Sequence, residues 1–300
     1  MVKEEEIEKW KKAGKIAMQV MKYAESILKP DMKLLELAEK IEKKIFEMKA
    51  KPSFPVTISC NEIAAHYTPS DDDKNVVNGL VKVDLGVSID GYISDTACSF
   101  DLSEEKKYVR LIESSREALS NAIKIIKPGI KLREIGSAIQ KTISDYGFSS
   151  IRNLSGHELK PYKLHAGLSI PNYDNGNENI LREGQLIAVE PFSTSGEGLV
   201  QDGKPAGDYM LLVRKPVRDM FARKILDYIE EEYKTLPFTS RWLVKKFGKR
   251  SLIALHLLEQ AGCLYQYKQL IEKSRKEVAQ SEHTLLVTKE GNLVTTKKNN

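Results

Sequence analysis

The sequence predicts an α/β (α+β) fold that is internally duplicated and carries a helical insertion. Three observations lead there. Residues 28–45, LKPDMKLLELAEKIEKKI, are echoed 98 positions later by residues 126–143, IKPGIKLREIGSAIQKTI. Each copy runs into a strand-like portion, and the segment from about 196 to 265 fits neither pattern.

In chain order, Ile7, Trp10, Ala13, Ala17, Val20, Met21, Ala24, Ile27 and Leu28 recur three or four apart until Pro30, which predicts an amphipathic helix. A second helix is expected from about Asp31, with Leu34, Ala38, Ile41 and Ile45 on one face. The echo repeats Pro30 as Pro128, Lys33 as Lys131, Leu34 as Leu132, Glu36 as Glu134, Ile41 as Ile139 and Ile45 as Ile143. A proline stop, a turn and a following helix rarely recur together by chance. One repeat of this length is no solenoid, so duplication of a half-domain explains it, and a site between the halves is expected. Residues 79–100 alternate as a half-buried hairpin turning near Asp90-Gly91, and QLIAVEPF (185–192) is a strand of the same kind. The insertion carries Phe221, Ile225, Tyr228 and Ile229 on one stripe, then a helix, turn and helix ending at Gly262. Strands SEHTLLVT and GNLVTT close the chain as a hairpin meeting at Glu290-Gly291. The expected units are a discontinuous body, 1–195 with 266–300, and an insertion subdomain, 196–265.

With 300 residues, 41% hydrophobic and 30% charged, the chain can bury a real core and reads as ordered and globular. No run approaches a membrane span, and the acidic start MVKEEEIEKW lacks the basic and apolar regions of a secretory signal, so a cytoplasmic location and no membrane partner are expected. A net charge of +5 is too small to argue nucleic-acid binding. The clusters Lys245-Lys246 with Lys249-Arg250, and Lys297-Lys298, read as a solvated helix face and a chain end, with ribosome docking as the functional alternative. Cys60, Cys98 and Cys263 are odd in number and lack CxxC spacing, so neither a disulfide framework nor a zinc ribbon is expected.

The chemistry lies in acids placed inside apolar strands. Asp84 and Asp95 bracket a hairpin whose expected centre lies between Ile89 and Asp90, which would set them opposite each other. Two opposed aspartates repel and are costly to bury, a cost that cations remove. Either one alone reads equally as a solvent-facing or turn-capping residue. In LIAVEPF, Ile187 and Val189 face one side while Leu186, Ala188 and Glu190 face the other. Glu282 begins the strand EHTLLV as the second-half counterpart of Asp95. His157, after a glycine in LSGHEL, suits a ligand loop, whereas His256 on a helix reads as structural. Together Asp84, Asp95, His157, Glu190 and Glu282 offer four carboxylates and one imidazole, a set suited to two divalent ions such as Mn, Co, Fe or Zn. Such a site does hydrolytic chemistry.

The strings NEIAAHYTP (61–69), VKVDLG (81–86), ISDTA (93–97), SGHEL (155–159), LHAGLSIPN (164–172), AVEPF (188–192) and AQSEHTLLV (279–287) resemble the signature segments of type II methionine aminopeptidases, peptidase family M24. The resemblance runs in order from about residue 5 onward. It implies the pita-bread fold, with a helical, winged-helix-like insertion before the final glutamate, and removal of initiator methionine from nascent polypeptide N-termini when the second residue is small. It further implies that Asp84 holds one ion, His157 and Glu190 the other, and Asp95 and Glu282 both. Glu190 becomes the proton shuttle, His165 the partner of the scissile carbonyl, His66 the contact to the substrate amide, and Phe54 a wall of the methionine pocket. The chain's own start, Met1-Val2, is then a substrate sequence. Lacking a charged amino-terminal extension, the chain resembles the archaeal form; a monomer is expected.

Two rivals share the fold. An X-prolyl aminopeptidase or prolidase usually carries a large amino-terminal domain, whereas here the repeat starts near residue 5. A non-enzymatic RNA- or ribosome-binding relative loses metal ligands, and all five ligand types are present here.

Overall fold

A computed structural model describes residues 2–297, so Met1 and Lys298 lie outside the described residues. The first half begins with helices α1 (Glu4–Ile27) and α2 (Leu34–Glu47), followed by strands β1 (Lys51–Pro52), β2 (Thr57–Cys60), β3 (Ile63–Ala65), β4 (Leu80–Ile89) and β5 (Tyr92–Asp101). The second begins with α3 (Val109–Ile125) and α4 (Leu132–Asp145), then β6 (Ser149–Ser150), β7 (Ser155–Leu159), β8 (Ser169–Pro171), β9 (Leu186–Val189) and β10 (Phe192–Thr194). Next come β11 (Val200–Leu211), α5 (Met220–Glu232), β12 (Phe238–Thr239), α6 (Ser240–Phe247), α7 (Arg250–Gln260) and β13 (Leu264–Glu272). The strands β14 (Val278–Gln280), β15 (His283–Thr288) and β16 (Gly291–Val294) follow.

The duplication is visible residue by residue. Helices α2 and α4 begin and end 98 positions apart. Each follows a residue in the left-handed region, Asp31 at φ 61° and Gly129 at φ 85°, and a lone bridge, Lys33 to Val76 and Lys131 to Ile180. Each helix pair covers one face of an antiparallel sheet. Leu37, Ile41 and Ile45 of α2 pack with Ala17 and Val20 of α1 on Ile58, Val81, Val83 and Leu85. In the second half, Ile135 and Ile139 pack on Ile170, Ile187, Val189 and Leu285.

In the first sheet, β4 pairs with β1, β2 and β5; the second has the order β16-β15-β9-β7-β8. The β4–β5 turn corrects the expected register. Asp90 and Gly91 both have positive φ, 51° and 89°, as a two-residue mirror-type turn requires, and Ile89 pairs with Tyr92. The centre therefore falls between Asp90 and Gly91, one residue later than expected. Asp84 pairs with Ala97 and Gly86 with Asp95, so the two aspartates are diagonal neighbours on one face.

The two sheets meet at β5 and β15. Asp95 N–H donates to Thr284 Oγ1 at 2.8 Å, and that hydroxyl donates to Asp95 O, also at 2.8 Å. Thr96 Oγ1 donates to Glu282 O at 2.9 Å, and Glu282 N–H to Ala97 O at 3.0 Å. This seam fixes one acid of each half against the other.

Between β10 and β14 the chain leaves the duplicated plan. Strands β11 and β13 form a long ribbon whose far side pairs with β3 of the first half, giving the order β12-β11-β13-β3. Helices α5, α6 and α7 lie between those strands in sequence and share a separate core of Ile225, Leu226, Ile229, Phe238, Leu243, Leu255 and Leu258. The expected limit at residue 265 falls inside β13. Among the described residues, no helix is long and apolar enough to cross a membrane.

Candidate active site

One cavity of about 70 Å³ is lined by Asp84, Asp95, His157, Glu190 and Glu282, and also by Phe54, His66 and His165. All eight side chains singled out in the sequence thus reach one space, from elements far apart in the chain. Asp84 sits mid-strand on β4 and Asp95 on β5. Glu190 is the residue after β9, and Glu282 the residue before β15; β9 and β15 pair antiparallel, His283 against Val189, which brings their acidic ends together. His157 lies on β7, paired with Ala188 of β9. The loop expected for it is corrected: Ser155–Leu159 is a strand inside the sheet, and the glycine before His157 lets β9 approach closely, since a Cβ there would meet the Ala188 carbonyl.

His157 Nε2 stands 3.6 Å from both Asp95 Oδ2 and Glu190 Oε1. Ligand atoms of Asp95, His157 and Glu282 all lie within 4.8 Å of one another. Asp84 Oδ1 and Asp95 Oδ1 are buried without a hydrogen-bond partner. Burial pushes Asp84 up to about 7 and Asp95, Glu190 and Glu282 well above the usual carboxylate range; the neighbouring carboxylates raise the latter three further. Burial lowers His157 to about 3, helped by His165, and lowers His165, which opens to solvent, to about 4. A neutral imidazole among crowded acids, with carboxylate oxygens left unpartnered, is a donor set that fits divalent cations: the charge they bring removes the repulsion that otherwise keeps the acids protonated.

The histidines flank this cluster. The ring of His165 meets that of His157 edge-on, centroids 4.3 Å apart. His66 Nδ1 lies 3.2 Å from the Lys268 carbonyl oxygen, an acceptor, so Nδ1 carries the proton and Nε2 keeps its lone pair. Burial lowers the His66 pKa, favouring that neutral form. Phe54 is buried and packs in one apolar cluster with Leu164 and Leu236. His256 is exposed on α7, away from the cavity.

Sequence reasoning missed Gln280, Tyr267 and Asp208. Gln280 Nε2 reaches Glu190 Oε2 at 3.5 Å and lies two positions before Glu282 in AQSEH, a spacing that could have revealed it. Tyr267 meets His66 edge-on at 5.5 Å, and Asp208 is an acid within a strand. Both reach the cavity only because the β11–β13 ribbon folds back onto β3.

The model of metallopeptidase family M24 matches residues 8–289. A methionine aminopeptidase of Thermococcus onnurineus is 48% identical over 289 residues, 95% of this chain and 97% of that protein. One from Methanocaldococcus jannaschii is 44% identical over 97% of this chain and 100% of that protein. Among solved structures, a thermophilic Arx1 superposes with TM-score 0.85 at 18% identity, covering 100% of this chain and 93% of that one. The Rickettsia prowazekii methionine aminopeptidase gives 0.70 at 23%, covering 99% of each. A Pyrococcus furiosus prolidase gives 0.63 at 21%, covering 99% of this chain and 65% of that one. At these identities the structures speak for the shared pita-bread fold alone.

Proposed function

The chain belongs to metallopeptidase family M24, and we propose that it is a type II methionine aminopeptidase that removes the initiator methionine from nascent proteins whose second residue is small. The observation that carries this reading is the convergence of five ligand-type side chains from both halves in one small cavity, beside two histidines and an apolar wall. The near-full-length identity to methionine aminopeptidases supports it over a prolidase, which shares the fold, and over a binding-only relative.

In this proposal Asp84 would hold one divalent ion, His157 and Glu190 would hold a second, and Asp95 and Glu282 would contribute to the same site; Mn, Co, Fe and Zn all suit these ligands. Ions held there would supply a nucleophile at neutral pH and would polarise the scissile carbonyl. Glu190 takes the proton of the attacking water on a carboxylate oxygen and passes it to the leaving amine. His165 donates to the carbonyl oxygen as negative charge develops there. His66, with Nδ1–H held by Lys268 O, offers Nε2 to the substrate amide N–H and so orients the scissile bond. Phe54 bounds the space for the methionine side chain, and the cavity of about 70 Å³ admits few heavy atoms.

The proposed place of work is the cytoplasm, as a monomer, where nascent N-termini emerge. Lys245 and Lys246 on α6, Lys249 in the turn after it and Arg250 at the start of α7 are exposed, which supports a separate proposal that the insertion docks on ribosomes. Charge reversal at those four positions should abolish co-sedimentation; unchanged binding removes the patch.

The decisive assay is methionine release from Met-Ala-Ser and Met-Lys-Ser by metal-free protein supplied with each ion, beside Glu190→Gln. Metal-dependent cleavage of the first peptide only, lost in the variant, is expected. No release with any ion from folded protein would sink the reading.

A further inference from the structure

The cavity lining holds a further buried acid that the chemistry above leaves unused. Asp208 of β11 lies opposite Thr239 of β12, is 5% exposed, and lines the cavity with Phe54, Leu164 and Pro237. Its Oδ1 is buried without a hydrogen-bond partner. Burial raises its pKa well above the carboxylate range. The cation facing it, Arg241 of α6, is already engaged: its terminal nitrogens donate to Glu42 of α2 at 2.7 and 2.9 Å, and Nε to Pro69 O at 3.1 Å. The Arg241 charge opposes burial and the Glu42 charge adds to it; burial, the largest of the three, favours the protonated form.

Other polar groups of the lining are engaged as well. Tyr267 of β13, close enough for Asp208 to raise its pKa, donates its hydroxyl to Met210 Sδ at 3.5 Å. His66 stands beyond Tyr267, neutral and tied to Lys268 O. Thr57 pairs with Asp84 and so belongs with the carboxylates. In its protonated form Asp208 carries an O–H, its Oδ1 has no protein partner, and the residue lines the same cavity as Phe54.

Resting on the aminopeptidase reading, we propose that Asp208 is a specificity-determining residue that recognises the sulfur of the substrate's first side chain, its carboxyl O–H donating a hydrogen bond to the thioether. A thioether is a weak acceptor and a methylene is none, so this contact separates methionine from norleucine, which matches it in shape. A purely apolar wall would hardly tell them apart.

The test compares kcat/KM for Met-Ala-Ser and norleucyl-Ala-Ser in the metal-loaded parent, Asp208→Asn and Asp208→Leu. Methionine should be preferred in the parent by about fivefold, the scale of one neutral hydrogen bond. The Asn variant, which keeps a donor, should retain most of that preference, and the Leu variant should bring the ratio to about one, as expected when a single hydrogen bond is lost. Each ratio is taken within one protein, so differences in folding or metal loading cancel. An unchanged ratio in the Leu variant, equal loss in both variants, or a parent ratio near one overturns the proposal while leaving the aminopeptidase reading intact. Release of neither residue by the parent overturns both.

Discussion

Removing the Glu42 carboxylate should unfasten the insertion from the first half and loosen the methionine wall. Glu42 is 4% exposed and Arg241 3%. Glu42 Oε2 accepts from Arg241 at 2.7 Å and from Trp242 Nε1 at 2.9 Å; Oε1 accepts from Arg241 at 2.9 Å and from Val56 N–H at 3.3 Å. In Glu42→Ala the guanidinium keeps only Pro69 O, and an indole N–H and an amide N–H lose their acceptor. Stranding a buried charge in this way costs about 3–5 kcal/mol. Two apolar residues of similar size need not suffer that loss, so Glu42→Leu with Arg241→Met should recover most of it. Urea unfolding of the metal-free proteins measures this. Because Val56 lies between Pro55 and Thr57 of the cavity wall, KM for Met-Ala-Ser should rise in the single variant. A loss below about 1 kcal/mol, the range of exposed pairs, or a double variant no better than the single, would refute the argument.

Gly86 faces Phe54, and a Cβ there would run into its ring and the Ser53 hydroxyl. Gly86→Ala should therefore push Phe54 and raise KM several-fold more than it lowers kcat; an unchanged KM would show that Phe54 does not shape the pocket. Above about pH 6.5 the site acids should cost the metal-free protein stability as pH rises, outnumbering buried Lys82, which burial lowers to about 7 and which acts in the opposite sense. The folded state holds protons on Asp84, up to about 7, and on Asp95, Glu190 and Glu282, well above their usual range, that the unfolded chain has released. Below pH 6.5 His66, His157, His165 and His283, all lowered by burial, act in the opposite sense and offset the acids. The thermal midpoint should be lower at pH 8.5 than at 6.5 without metal and nearly level with manganese; a metal-free midpoint that rises across that interval would contradict the sign.

Much of the architecture was legible because its signals are local. Helix periodicity and the repeated Lys-Pro-turn-helix string placed α1, α2 and α4, and acids inside apolar strands pointed to a shared site. The failures have one physical source. Register and strand pairing depend on partners distant in sequence. Asp90-Gly91 announces a turn, but a two-residue loop moves the centre by one position and turns opposed aspartates into diagonal ones. His157 read as a loop residue because nothing nearby shows that Ser155–Leu159 lies between β8 and β9. Asp208 and Tyr267 could not be assigned to the cavity before the ribbon's return to β3 was known. The resemblance to a known family supplied the residue roles, which spacing alone left open.

The seam between β5 and β15 also orders events during synthesis. Glu282 follows Glu190 by 92 residues, so at roughly 5–20 residues per second several seconds separate the fourth ligand from the fifth. Until β15 has been made, β9 has only β7 beside it and Asp95 lacks Thr284. A growing chain thus lacks the fifth ligand until β15 is made, so during most of its own synthesis it cannot cleave any substrate, and activity begins only when the closing strand has paired.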